Sequence, residues 1–300
     1  GSSDLRLPVL GVGCWAFGGG DYWGPQSQTE VDAVVRYAVE HGCNFFDTAE
    51  AYNAGASETA LGVALRGLPR DRAIVCTKIS PANTAPKTLV AHCEASLRRL
   101  QTDYVDLCFC HRPDPDTPLE ETMGALDHIV RSGRAQYIGI SSYNSQRTRE
   151  AAAILKDLGT PCLIHQPSYS ILNRWVETDG LKDTLKDLGI GSIAFTPLAQ
   201  GILTSKYLKG IPAGSRATQG KSLDVATLND RALASVHRLN AMAEARGQTL
   251  AQMALAWVLR NGTVQNLDRP VQELIAVLLW SGGLGAGLGA LWYAHRQDRL

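Results

Sequence analysis

Neither sign of charge is in surplus: 29 basic and 29 acidic side chains cancel to a formal net charge of +0. No basic run is longer than a pair such as Arg98 and Arg99. A field able to hold a polyanion is therefore missing, and nucleic acid is not expected as a partner. The seven cysteines (Cys14, Cys43, Cys76, Cys93, Cys108, Cys110, Cys162) include no CxxC pair and are odd in number. That argues against both a metal site and a disulfide framework. Most lie inside apolar runs, as buried reduced thiols of a cytoplasmic protein do. No signal-peptide pattern opens the chain, and Gly1 in place of Met suggests a trimmed start. A GxGxxG fingerprint is also missing, because Gly11, Gly13, Gly18, Gly19 and Gly20 have the wrong spacing and no helix opens directly after them. This disfavours a dinucleotide-binding Rossmann domain.

What is present has a regular beat. Apolar, β-branched runs recur at Val9–Trp15, Cys43–Ala49, Ala73–Ile79, Tyr104–His111, Tyr137–Tyr143, Cys162–Tyr169 and Ser192–Leu198, their first residues 34, 30, 31, 33, 25 and 30 positions apart. Near-continuous apolar character marks strands covered on both faces, and the spacing leaves room for a loop and a helix after each. Ser27-Gln28-Thr29-Glu30 forms a capping-box pattern ahead of an apolar helical face, with Gly42 as the stop. Thr117-Pro118-Leu119-Glu120 predicts a second N-cap with proline at the first helical position, closed by Gly133. Alternating strand and helix leaves a doubly wound sheet or a barrel. The strand ends choose the barrel. Trp15, Asp47, Lys78, His111, Ser141 with Ser142, Gln166, and Phe195 with Thr196 all stand there, and in a (β/α)8 TIM barrel such ends converge on one mouth.

Tyr52, Lys78 and Asp47 suit proton transfer. An unperturbed tyrosine is a poor acid at neutral pH; a neighbouring ammonium stabilises its phenolate and lowers its pKa, and a carboxylate keeps that ammonium charged and oriented. His111 could bind a carbonyl oxygen and help polarise it. Taken singly, Asp47 also fits a helix cap, Lys78 a solvated loop residue and Tyr52 a packing aromatic.

The stretches FFDTAEAYNAGASE, TKIS, YVDLCFCHRPD, YIGISSYN, HQPSYSILNR and AFTPLAQGILTSKYL resemble the aldo-keto reductases, over about residues 5 to 260. HQPSYSILNRWV and FTPLAQGILTSKY look closest to the branch holding bacterial L-glyceraldehyde 3-phosphate reductases and voltage-gated potassium channel β subunits. The resemblance implies a TIM barrel that binds NADP(H), reduces a small carbonyl substrate and uses Asp47, Tyr52, Lys78 and His111 as its catalytic set. It further implies that Ser141, Ser142 and Gln166 hold the nicotinamide carboxamide, that Phe195 stacks on the ring, and that Thr196, Leu198, Gln200 and Gly201 line the pyrophosphate. Lys206 and Arg216 fall where the branch places cations near phosphates, and Trp15 walls the substrate side. Channel subunits look to have asparagine at the position of His111, so the histidine here points to an active reductase rather than a regulatory, cofactor-sensing subunit. Self-association as a homo-oligomer stays open.

The barrel is expected over 1–260, and a divergent segment over 261–300. The family's eighth strand, its glycine-alanine-serine turn and its Glu-Asn clamp on adenosine are not recognisable there. Only Arg269, Pro270 and Gln272 echo them. From Leu274 to Ala294 run 21 residues without a formal charge, crowded with glycine. An aberrant eighth strand over Glu273–Ser281, a replaced end that impairs nucleotide binding, and a membrane anchor over 274–294 are three readings of it.

Overall fold

The computed structural model describes residues 3, 5–81, 85–220, 222–260 and 275–280. Seven strands stand where the apolar runs predict them: β1 (Leu10–Gly13), β2 (Phe45–Asp47), β3 (Ile74–Ile79), β4 (Val105–Cys110), β5 (Ala135–Ser141), β6 (Cys162–Gln166) and β7 (Gly191–Ala194). An eighth, β8 (Ile275–Trp280), pairs in parallel with both β1 and β7, and the strand order β1 to β8 closes on itself. Of the divergent segment, only these six residues are described. The echoes at Arg269, Pro270 and Gln272, and most of the 274–294 stretch considered as an anchor, lie outside the described residues.

Helices alternate with the strands: α1 (Gln28–Glu40), α2 (Ala56–Leu65), α3 (Pro86–Leu100), α4 (Leu119–Arg131), α5 (Ser145–Leu158), α6 (Trp175–Thr178), α7 (Leu181–Leu188), α8 (Asp230–Glu244) and α9 (Leu250–Leu259). None of the described helices is long and apolar enough to cross a membrane. The capping box at Ser27 forms in full, with Ser27 accepting from Glu30 N while Glu30 accepts from Ser27 N. Gly42, at φ +77°, turns the chain out of α1. At α4 the expected cap does not form. Pro118 is itself the cap residue, and the Thr117 hydroxyl donates to Asp114 Oδ2 at 2.7 Å instead. The aspartate three residues earlier competes successfully for that hydroxyl, as short polar side chains do in loops.

Successive strand residues face opposite ways, and this alternation positions the site. Phe45, Cys76, Leu107, Phe109, Ile164 and Ile193 are the inward-facing members of a buried cluster that Leu5, Leu7 and Leu163 complete. Val75, Cys108, Cys110, Ile138 and Ile140 take the opposite parity and belong to the cluster packed with the helices. Counting in twos from the interior set leads to Asp47, Lys78, His111, Gln166 and Phe195, while Ser141 shares a parity opposite to outward Ile140. The same pleat that fills the core therefore delivers these groups to one mouth. Gly139 permits the closest approach inside the barrel: a Cβ there would lie 2.5 Å from Phe109 Cε1 and 2.7 Å from Ile164 O.

Candidate active site

Lys78 is completely buried, and its ammonium is satisfied three times over. It donates to Asp47 Oδ2 at 2.6 Å, to Thr48 O at 2.7 Å and to Tyr52 Oη at 3.3 Å. A buried cation without such partners would cost several kcal/mol. Burial is the largest single influence and pulls the Lys78 pKa down, but the charge and hydrogen bond of Asp47, together with Tyr52 and Cys76, outweigh it and the net direction is up. The ammonium thus stays charged. The other carboxylate oxygen, Asp47 Oδ1, accepts from Gln166 Nε2 at 3.0 Å and from the Cys76 thiol at 3.2 Å.

Tyr52 follows β2 in a short 3-10 turn, Tyr52–Gly55, where Asn53 and Ala54 both take left-handed conformations at φ 50° and 52°. Asparagine tolerates that region because its short polar side chain bonds locally. Here the Asn53 amide donates to Trp15 O and Phe17 O, both at 2.9 Å, and so ties the tyrosine's turn to the end of β1. Contrary to the expected lowering, the Tyr52 hydroxyl is pushed up to about 12. Burial is the largest cause; Lys78 pulls the other way, and Asp47 opposes Lys78. Tyr52 is therefore a neutral phenol at physiological pH, an acid with its proton in place.

His111 lies edge-on to Tyr52, with ring centroids 5.8 Å apart and planes at 77°. Burial, then the charges of Lys78 and Arg112, lower its pKa to about 3. A neutral imidazole carries one N–H donor, and that suffices to hold an oxygen without adding a proton. Trp15 leans over Tyr52 at 6.0 Å, stacks on Tyr22 at 5.0 Å and meets Trp23 edge-on at 5.0 Å. These rings form an apolar wall beside the phenol. Arg216 lies over Trp23 at 4.4 Å, and among the described residues no carboxylate forms an ion pair with it.

The residues expected to hold a nucleotide are only partly gathered. The Ser141 hydroxyl donates to Gln166 O at 2.9 Å, and Ser142, left-handed at φ 62°, places its N–H 3.1 Å from the same oxygen. Phe195 is half-buried at the end of β7, and Thr196, Ala199 and Gln200 follow with positive φ in a compact loop through Leu198 to Gly201. The Gln200 side chain is turned away to Ser222, donating to its carbonyl at 3.1 Å and accepting from its hydroxyl at 2.5 Å. Ser222 also bonds the Tyr22 hydroxyl, so the loops after β1 and β7 meet. Lys206 is exposed. His165, by contrast, is a buried core residue whose Nε2 lies 2.9 Å from Tyr143 O. Among the described residues no cluster of His, Cys, Asp and Glu could hold a metal ion.

Residues 9–275 match the profile of the aldo/keto reductase family. The chain belongs to that family. This aldo/keto reductase is 43% identical over 284 residues to the L-glyceraldehyde 3-phosphate reductase of Escherichia coli K12, covering 89% of this chain and 81% of the relative. It is 38% identical over 282 residues to a probable voltage-gated potassium channel β subunit of Arabidopsis thaliana, covering 89% and 84%. Among solved structures, an aldo-keto reductase from Klebsiella pneumoniae in complex with NADPH superimposes with a TM-score of 0.70 at 28% identity, covering 97% of this chain and 86% of that one. A thermostable aldo-keto reductase bound to the inhibitor epalrestat superimposes with a TM-score of 0.75 at 26% identity, covering 99% and 92%. As a member of this family the chain is an oxidoreductase on a TIM barrel.

Three contributors escape a reading of the sequence alone. Asn53 was signalled only by its place in an Asn-Ala-Gly turn. Cys76 sits two residues before Lys78, and its contact with Asp47 has no signal in the sequence that sets it apart from the other apolar-run cysteines. The Tyr22 to Ser222 contact joins positions 200 apart and has no local signal.

Proposed function

We propose that this aldo/keto reductase reduces aldehydes or ketones to alcohols with NADPH, Tyr52 supplying the proton. The observation that carries the reading is the buried Asp47–Lys78–Tyr52 chain, with His111 edge-on to the phenol. NADPH, when bound, supplies the hydride that enters the carbonyl carbon. As the C=O π pair moves onto oxygen, that oxygen takes the proton of Tyr52 Oη and, still bonded to carbon, becomes the alcohol hydroxyl. Lys78 stabilises the phenolate formed, and Asp47 keeps Lys78 in place. The neutral ring of His111 donates a hydrogen bond to the same oxygen and so fixes which atom meets Tyr52. Trp15 and Tyr22 shield the reacting carbon from water.

The residues at the mouth fit a nicotinamide nucleotide. Gln166 is buried with its amide nitrogen committed to Asp47, which leaves its amide oxygen as the acceptor for a carboxamide N–H. Phe195 offers a π face, and Arg216 a cation that no carboxylate among the described residues pairs with. Gln200 would contribute through its backbone, since its side chain serves Ser222. The 43% identical reductase supports a phosphorylated aldehyde as the substrate class, and Arg112, whose charge is felt at His111, is the cation assigned to its phosphate. A small aldehyde carrying phosphate, such as L-glyceraldehyde 3-phosphate, is the first substrate to test. All seven cysteines are free thiols, consistent with a cytoplasmic site of action.

NADPH consumption with small aldehydes tests the reading. Turnover by the wild type, with higher kcat/KM for the phosphorylated aldehyde and loss of that preference in Arg112→Ala, supports it. Turnover with no preference refutes the substrate class, and absence of turnover across aldehydes and ketones refutes the reaction.

A further inference from the structure

The Asp47 carboxylate must present one oxygen to Lys78 while the aspartate side chain remains free to rotate about its last bond. Two donors on Oδ1 restrain that rotation. One, Gln166, stands at the mouth and is the group we expect a carboxamide to engage from the other side. The second comes from below. Cys76 lies in the barrel interior among Phe45, Leu107 and Phe109, is wholly buried, and places its sulfur 3.2 Å from Asp47 Oδ1.

We propose that Cys76 is a positioning residue of the reductase site: its S–H donates to Asp47 Oδ1 and holds the carboxylate in the rotamer that keeps Lys78 against Tyr52. The inference rests on the reaction proposed above. Geometry supports it in three ways. The contact runs within the inner face of adjacent strands, since Asp47 and Cys76 are register partners of β2 and β3. The thiol has no path to solvent, so water cannot replace it as a donor. Burial and the nearby Asp47 charge also raise the Cys76 pKa well above its ordinary value, so the sulfur keeps the proton it must donate. A thiol is a weak donor, yet its acceptor is a charge, and hydrogen bonds to charged groups are roughly twice as strong as neutral ones.

Packing alone would make Cys76 replaceable by any apolar side chain of similar size. Donation makes serine a better substitute than alanine or valine despite its polarity. In single-turnover reduction, Cys76→Ala and Cys76→Val are expected to slow the chemical step about 5- to 50-fold, the loss of one hydrogen bond to a charged group. NADPH affinity by fluorescence should stay within about twofold, and Cys76→Ser should recover the rate to within about threefold. The alkaline limb of the rate profile, set by Tyr52, should move in the alanine variant and not in the serine variant. An activity-free readout is the infrared S–H stretch obtained as the difference between wild type and Cys76→Ser; it should lie at lower frequency than an unbonded thiol and return upward in Asp47→Asn. Wild-type rate and pH profile in both apolar variants, serine as impaired as alanine, or an unshifted S–H band each overturn the proposal. Tyr52→Phe run in parallel separates the two levels: a wild-type rate there refutes the underlying reaction, whereas its inactivity beside a fully active Cys76→Ala refutes the role of Cys76 alone.

Discussion

Lys78 Nζ stands 3.3 Å from Tyr52 Oη, yet the Tyr52 pKa lies above the tyrosine norm, at about 12. Burial of the phenol outweighs the lysine, and the proximity of Asp47 takes back part of what the lysine offers. The pair is therefore arranged to keep the proton until an oxygen arrives with negative charge developing on it, and then to stabilise the phenolate that is left.

A flat pH profile follows. With Tyr52 at about 12 and His111 at about 3, neither group changes charge in the neutral range. For carbonyl reduction kcat/KM should hold level from about pH 5 to about pH 9. A break near the ordinary histidine pKa that disappears in His111→Asn contradicts the neutral-imidazole role.

Stability against acid should depend on His165. Burial, only partly offset by its bond to Tyr143 O, lowers its pKa to about 4. The unfolded chain then binds a proton that the native state refuses. The stability it contributes is present above about pH 6.5 and lost as pH falls toward about 4, amounting to about 2 kcal/mol between pH 7 and pH 5. Urea unfolding at the two pH values should show this slope, reduced by about that amount in His165→Asn; an unchanged slope contradicts it.

The Asp47–Lys78 pair is expected to couple strongly. Asp47→Asn leaves a buried ammonium without its anion and should cost about 3–5 kcal/mol. Adding Lys78→Met should restore part of that loss, although both variants are inactive. Denaturant melts of the four species measure the coupling, and additive losses would show that the charges do not interact.

The strand pattern was readable because parallel barrel strands are covered on both faces and so are apolar without interruption. Asp47, Lys78 and His111 stood out as polar residues ending such runs, and the inward parity of Phe45, Cys76 and Phe109 shows why they meet. The direction of the Tyr52 shift was not readable, because it depends on depth and sequence carries no measure of depth. Thr117 showed a capping pattern whose outcome turned on a competing Asp114, and Gln200 had a partner, Ser222, that only the folded loop brings near.

Close packing gives a further prediction. At Gly139 a methyl group would collide with the Phe109 ring and with Ile164 O, its register partners on the two adjacent strands. Backbone on a neighbouring strand cannot move aside cheaply, so Gly139→Ala should destabilise by about 1–3 kcal/mol in thermal or urea melts. Wild-type stability in that variant would show that the interior is less tightly filled than described.

Single-turnover oxidation of NADPH by a small aldehyde, compared between wild type and Tyr52→Phe, tests the central claim most directly. Phenylalanine keeps the ring beside Trp15 and His111 and removes only the hydroxyl that Lys78 contacts. The account predicts unchanged NADPH binding by fluorescence with a chemical step slowed by about 100-fold or more. A Tyr52→Phe variant that reduces the aldehyde at the wild-type rate would contradict it.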